Sequence, residues 1–188
     1  MPILDHFSIL APFYENFIRL RDPEMIIEAA KMPVDGTLLD AGGGTGRVTQ
    51  AFIGLAKKMF IADESRKMLM QAFEKDSLIP VCSYTENLPF PDEYFDRIIM
   101  VDALHHVEDQ SKTIREMCRV LKTGGRLVIE EPDIKKFAVK LVAIGEKLAL
   151  MRSRFLSPEK IERFFDGQKA ITKIVRNDHN AWIIVDKV

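Results

Sequence analysis

Chemistry is concentrated first where Asp40 leads into Gly42, Gly43, Gly44 and Gly46, with a second acid, Asp63, closing the next apolar run. Glycines tolerate positive φ, and they let backbone N–H and C=O groups approach a ligand with no Cβ in the way. A carboxylate is an acceptor only, so Asp63 can take hydrogen bonds from both hydroxyls of a ribose. Its competing role is that of a helix cap, because Ser65 and a helical pattern follow at once. The glycine turn upstream tilts the reading toward a nucleoside.

A glycine turn with a distal acid also describes dinucleotide oxidoreductases, so spacing has to discriminate. Counting from Gly42 and Gly44, the third glycine of that fingerprint falls on Arg47, while glycine stands at 46. No Gly-Lys-Ser or Gly-Lys-Thr follows the turn, which removes ATP chemistry. Further along, His105 and His106 follow the apolar run 97–101. A histidine there can serve as a general base near neutral pH, or it can pack as scaffold. Asp102, just before the doublet, either touches the ligand or caps the following turn.

These residues need elements to hold them. Apolar residues at helical spacing over 3–18 and 23–32 predict opening helices. Thr37-Leu38-Leu39 then reads as a strand, and Val48, Phe52, Ile53 and Leu55 predict a helix after the glycine turn. The alternation continues with strand 57–62, helix 65–74, strands 78–83 and 95–101, helix 109–121 and strand 125–130. Such alternation with short links predicts a parallel α/β sheet covered by helices on both faces. Arg97-Ile98-Ile99-Met100-Val101 and Leu127-Val128-Ile129 are apolar without a period of two, as buried central strands require. A helix is expected over 134–151, and another begins at Ser157-Pro158-Glu159 and ends near Gly167. The stretches 169–176 and 181–188, split by Asn177-Asp178-His179-Asn180, read as a hairpin that ends the sheet with an antiparallel strand.

Composition is that of a globular domain, with 47% hydrophobic and 29% charged residues and a formal net charge of -1. Without a positive field, nucleic acid is not an expected partner. Cys82 and Cys118 lack metal or redox spacing, so no metal site is expected. The opening residues have no signal-peptide pattern and no run is long enough to span a bilayer, which makes a reducing cytoplasm the expected compartment. No linker divides the chain. One domain over 1–188 is expected, with helices in 1–34, a binding core in 35–132, and a lid helix plus hairpin in 133–188. Phe7, Phe13, Tyr14 and Phe17 could line an acceptor pocket, although helical spacing favours core packing. Lys135, Lys136, Lys140, Lys147, Arg152 and Arg154 read best as a solvated helix face.

The run Leu38-Leu39-Asp40-Ala41-Gly42-Gly43-Gly44-Thr45-Gly46 resembles the first motif of class I S-adenosylmethionine-dependent methyltransferases. Glu86-Asn87-Leu88-Pro89-Phe90-Pro91-Asp92, Phe95-Asp96, Ala103-Leu104-His105-His106-Val107 and Arg119 through Arg126 look like its UbiE-type branch. The resemblance covers roughly residues 35–132 and implies a Rossmann-like, mostly parallel seven-stranded sheet with S-adenosyl-L-methionine as cofactor. It also implies that the 42–46 backbone holds the methionine part, with Asp40 behind the turn near its ammonium group. On the same ground Asp63 binds ribose, and Thr85 and Glu86 border adenine. Where that family often has Asp and an apolar residue beside the adenine ring, this chain has Tyr84 and Glu64.

The resulting expectation is a methyltransferase acting on a small-molecule acceptor. A non-catalytic cofactor-binding or assembly subunit is the alternative, and an NAD-type oxidoreductase is the reading that the glycine spacing demotes. Neither the acceptor nor the oligomeric state can be read from the residues.

Overall fold

The computed structural model describes residues 23–133, 154–177 and 180–188. The expected helices 3–18 and 134–151, the four amino-terminal aromatics, and the basic residues of 135–152 lie outside the described residues. The described chain runs α1 (Pro23–Ala29), β1 (Val34–Ala41), β2 (Ala56–Asp63), α2 (Arg66–Phe73), β3 (Leu78–Cys82) and β4 (Phe95–Val101). It continues with α3 (Gln110–Val120), β5 (Leu121–Pro132), α4 (Pro158–Arg163), β6 (Ala170–Arg176) and β7 (Asn180–Lys187). The sheet has seven strands in the order β3-β2-β1-β4-β5-β7-β6. Pairs from β3 to β5 are parallel, and β7 runs antiparallel to both β5 and β6. This is the mostly parallel sheet that the alternation predicted, in the Rossmann-like form that the resemblance implied.

Side chains on successive strand residues point to opposite faces, and the core divides accordingly. Leu39, Ala41, Ile98, Met100, Leu127 and Ile129 pack with Ile114 and Met117 of α3 and with Ile161 of α4. Leu38, Ile99, Val128 and Trp182 pack with Ile26 of α1, Phe52, and Leu69 and Ala72 of α2. Both faces of the central strands are therefore covered, which is why their sequences are apolar throughout. Each of the buried Leu, Ile, Val, Met and Phe side chains contributes about 1.5–3 kcal/mol.

One expected element is much reduced. Where a helix was predicted after the glycine turn, only a single 3-10 turn forms, Thr49–Phe52. The chain leaves helical geometry at Ile53, ψ 127°, and turns at Gly54, φ +82°, and the few residues between Gly46 and Gly54 cannot propagate a helix past its costly first turn. Another element is longer than expected: β5 starts at Leu121, directly at the end of α3, instead of at residue 125.

The connection from β3 to β4 is clamped by Arg119, and Glu116 accepts the Leu88 N–H at 3.0 Å. The Arg119 guanidinium donates to the carbonyls of Leu88 and Phe90 at 3.0 and 2.8 Å and to the Asp92 carboxylate at 2.8 Å. That clamp carries the 86–92 segment onto the start of α3, where Glu86 Oε1 accepts the Glu108 and Asp109 N–H groups at 2.9 and 3.1 Å.

Candidate functional site

The carboxyl ends of β1, β2 and β4 meet at the glycine turn, the edge at which open α/β sheets bind ligands. Register brings Asp40 beside Ile61 of β2 and Ile99 of β4, and Asp63 beside Cys82 of β3. Gly42, Gly44 and Gly46 all take positive φ, at +76°, +53° and +75°. A Cβ on Gly42 would stand 2.8 Å from the Ala103 Cβ, and one on Gly43 would stand 2.6 Å from the Asp40 carboxyl carbon. The turn is bare because neighbours on both sides fill the space a side chain would need. Lys75 steadies it from beyond α2, donating from Nζ to the Thr45 carbonyl at 2.8 Å.

Asp63 joins the turn to the second strand. Its Oδ2 accepts the Gly44 N–H at 3.0 Å, and its Oδ1 accepts the Ser65 N–H at 2.8 Å. Each carboxylate oxygen keeps a second lone pair to offer. Ser65, rather than Asp63, caps α2, its side chain accepting from the Met68 N–H. Asp40 lies 1% exposed beneath Gly43, with Thr49 Oγ1 donating to its Oδ2 at 2.6 Å. Burial pushes its carboxyl up to about 7, against the pull of the Thr49 hydroxyl, and the Asp63 carboxylate adds to the rise.

That shift sets a sign for stability. The folded state holds a proton on Asp40 that the unfolded chain has released above its model value of 3.8, so stability falls as pH rises from there through about 7. We expect Asp40→Asn, which keeps an acceptor for Thr49, to flatten this slope. Thermal melts from pH 5 to 8 check it; the contribution is up to about 4 kcal/mol. Equal slopes in variant and wild type would contradict the assignment.

Asp102 adopts a left-handed φ of +53° and donates its N–H to the Glu130 carbonyl at 2.9 Å. Ala103, not Asp102, holds the cap position of the short turn Leu104–His106. His105 is 2% exposed, with Nδ1 2.6 Å from Oε2 of the equally buried Glu131. Its ring stacks on Phe155 at 4.2 Å and touches His106 at 3.9 Å. Burial, aided by the neighbouring His105, holds the His106 imidazole down at about 3, so it is neutral at physiological pH. Burial raises the Glu130 carboxyl, while hydrogen bonds from Asn180 and Trp182 oppose the rise.

The residues that the resemblance places around adenine also have partners within the protein. The Thr85 hydroxyl pairs with Thr113 of α3 at 3.2 Å, and Glu86 caps the approach to the same helix. Glu64 is exposed, and its carbonyl faces the Cys82 thiol at 3.8 Å. A cavity of about 760 Å³ lined by Tyr84, Glu86, Asn87, Asp109, Arg154 and Phe164 opens beside them, and it includes none of the glycine turn.

Three groups that sequence reasoning passed over have buried polar atoms without a hydrogen-bond partner: Thr45 Oγ1, Arg47 Nε and Nη1, and Ser83 Oγ. Two belong to the glycine turn and its exit, and Ser83 follows β3, where its N–H donates to the Asp63 carbonyl at 3.0 Å. Leaving buried polar groups unpaired costs about 1–3 kcal/mol each, so a ligand offering carboxylate and hydroxyl groups fits this rim. Arg47 had registered in the sequence only as a missing glycine. Among the described residues, no group of His, Cys, Asp and Glu has the arrangement of a metal site. No described helix is long and apolar enough to cross a membrane.

Comparison with known proteins agrees with this geometry. Residues 39–129 match the methyltransferase domain family. The ubiquinone/menaquinone biosynthesis C-methyltransferase UbiE of Proteus mirabilis is 39% identical over 115 residues, 56% of this chain and 46% of that protein. The chain thus spans about half the length of the curated relatives it matches. The YcgJ protein of Bacillus subtilis superimposes with a TM-score of 0.74 at 23% identity, over 84% of this chain and 71% of that one. A chain of the complex between the Haloferax volcanii Trm112 methyltransferase activator and the putative methyltransferase gives 0.82 at 16% identity, over 98% and 99%. At such identities the two structures speak for the fold alone. Family match and strand order agree: over residues 39–129 the chain is similar to the methyltransferase domain family and to the UbiE C-methyltransferases, a likeness that points to S-adenosyl-L-methionine as cofactor.

Proposed function

We propose that the chain binds S-adenosylmethionine across the carboxyl ends of β1, β2 and β4 and catalyses transfer of its methyl group to a small-molecule acceptor. The observation that carries this reading is Asp63, whose carboxylate joins the bare turn at Gly44 to Ser65 at the start of α2. The bound cofactor supplies an electrophilic methyl carbon on a sulfonium, which needs only an aligned nucleophile.

The chain's own residues provide that alignment. Main-chain groups of 42–46 hold the amino-acid tail, with Arg47 Nε and Nη1 available to its carboxylate. Asp40 stands behind Gly43, toward the ammonium group. Asp63 accepts from the ribose hydroxyls, with Ser83 Oγ beside it, and Glu64, Thr85 and Glu86 border the adenine. Asp102 lies toward the methionine part and the acceptor. Alignment of this kind supplies about 7–11 kcal/mol in favourable cases.

An acceptor nitrogen with a free lone pair needs no base, whereas a ring carbon or phenol has to lose a proton. The curated relatives are named for C-methylation in quinone biosynthesis, which makes a quinone-type ring the first acceptor to try. For such a ring, His106 is neutral but held by burial to a weak base, and His105 is tied to Glu131.

Calorimetry of the purified chain with S-adenosylmethionine and S-adenosylhomocysteine tests the binding. Incubation of a labelled-methyl cofactor with small-molecule extract then tests transfer. Binding of NADH in preference to both nucleosides would refute the reading, and binding with no methylated product would leave a cofactor-binding subunit in its place.

A further inference from the structure

The 103–106 turn is held by a polar arrangement with two ends. At one end, Oε1 of Glu131 accepts the N–H groups of Ala103 and Leu104 at 3.1 and 2.7 Å. The Ala103 methyl that this fixes is the same one that stands against Gly42, 2.8 Å from where a Cβ would be. At the other end, Glu131 Oε2 meets His105 Nδ1 at 2.6 Å, and the His105 ring lies nearly parallel to that of Phe155. The His105 carbonyl accepts the Arg154 N–H at 2.7 Å. Gln110 closes the join, its Nε2 donating to the carbonyls of both Leu104 and Arg154 at 3.0 and 2.7 Å. Glu131 and His105 are 3% and 2% exposed, so breaking the link between Oε2 and Nδ1 would forfeit a contact between two buried polar atoms, which is costly.

We propose that Glu131 and His105 are a positioning couple: the carboxylate seats the 103–104 turn against Gly42, and the imidazole fastens that turn to the chain re-entering at Arg154 and Phe155. One buried carboxylate thereby shapes the cofactor's floor and anchors the segment beyond it. Occupancy of the crevice and docking of 154–155 are then coupled, and the coupling is reciprocal. The inference rests on the cofactor reading above for its ligand effect, while the docking effect stands on the protein alone.

The test uses the full chain with Glu131→Ala, Glu131→Gln and His105→Phe, and S-adenosylhomocysteine as the probe. Calorimetry is run well below the melting temperature, so that only folded protein is titrated. For Glu131→Ala we expect Kd to rise about thirtyfold or more. We also expect the Arg154 amide, which Glu131 does not touch, to exchange about tenfold faster without ligand. Glu131→Gln keeps an oxygen for the two turn amides and should restore Kd to within about fivefold of wild type. His105→Phe keeps the ring stack on Phe155 but not the link to Glu131, and should raise both Kd and Arg154 exchange.

A lowered melting temperature in Glu131→Ala with Kd and Arg154 exchange unchanged would overturn the couple and leave an ordinary core pair. If that variant does not fold, His105→Phe with wild-type values for both readouts overturns it equally. Absence of S-adenosylhomocysteine binding by the wild type would count against the cofactor reading instead, with the exchange measurement still deciding the couple.

Discussion

Gly42→Ala weakens S-adenosylhomocysteine binding by about a hundredfold or more in our expectation, measured by calorimetry on folded protein. Two separate costs converge at this position. A φ of +76° is left-handed, and an L-residue with a Cβ loses roughly 1–2 kcal/mol there. The added methyl would also lie 2.8 Å from the Ala103 Cβ, so the two segments that form the floor of the crevice have to part. Ala103→Gly introduced alongside returns the space without relieving φ, and should recover about a tenfold part of the loss. Gly44 supplies the contrast. A Cβ there carries the same left-handed cost at φ +53° but meets the flexible Met68 thioether at 3.0 Å and Asp63 Oδ2 at 3.8 Å, so Gly44→Ala should be the milder change. Wild-type affinity in a well-folded Gly42→Ala would remove the main chain of the turn from the binding surface.

Asp63 gives the second large effect, because two functions end on one carboxylate. Asp63→Ala deprives the Gly44 and Ser65 N–H groups of their acceptor, at about 1–3 kcal/mol of stability for each group left unpaired. It also removes the acceptor proposed for the ribose, for which we expect Kd to rise about a hundredfold. Asp63→Asn separates the two. Its carbonyl still accepts from one N–H, so melting should recover toward wild type, while its amide cannot accept a sugar hydroxyl and affinity should stay low. If Asp63→Ala lowers only the melting temperature and leaves Kd alone, the carboxylate is a structural brace.

The alternative roles weighed for Asp63 illustrate why sequence reading stalls between a cap and a ligand. Both are local proposals, and both use the same oxygens; the structure gives Oδ1 to the helix start and Oδ2 to the turn. The predicted helix after the turn failed for a different reason. Apolar spacing at Val48, Phe52 and Leu55 is a side-chain signal, and it is silent about the backbone at Ile53 and Gly54, where the chain leaves helical geometry after a single 3-10 turn. Glu131 leaves a trace in the sequence: two acids follow the apolar run Leu127-Val128-Ile129, and one of them is almost wholly buried.

By itself the sequence determined the order of strands and helices, the bare turn and the acid one strand away, because glycine φ preferences and side-chain periodicity act over a few residues. The pairing of Glu131 with His105, 26 positions apart, was decided only when β5 lay beside β4 and set the carboxylate under the turn. So was the contact of Ala103 with Gly42, which depends on the β1 to β4 register. Such contacts depend on how separate strands align, and no local pattern of residues encodes a distance across a sheet.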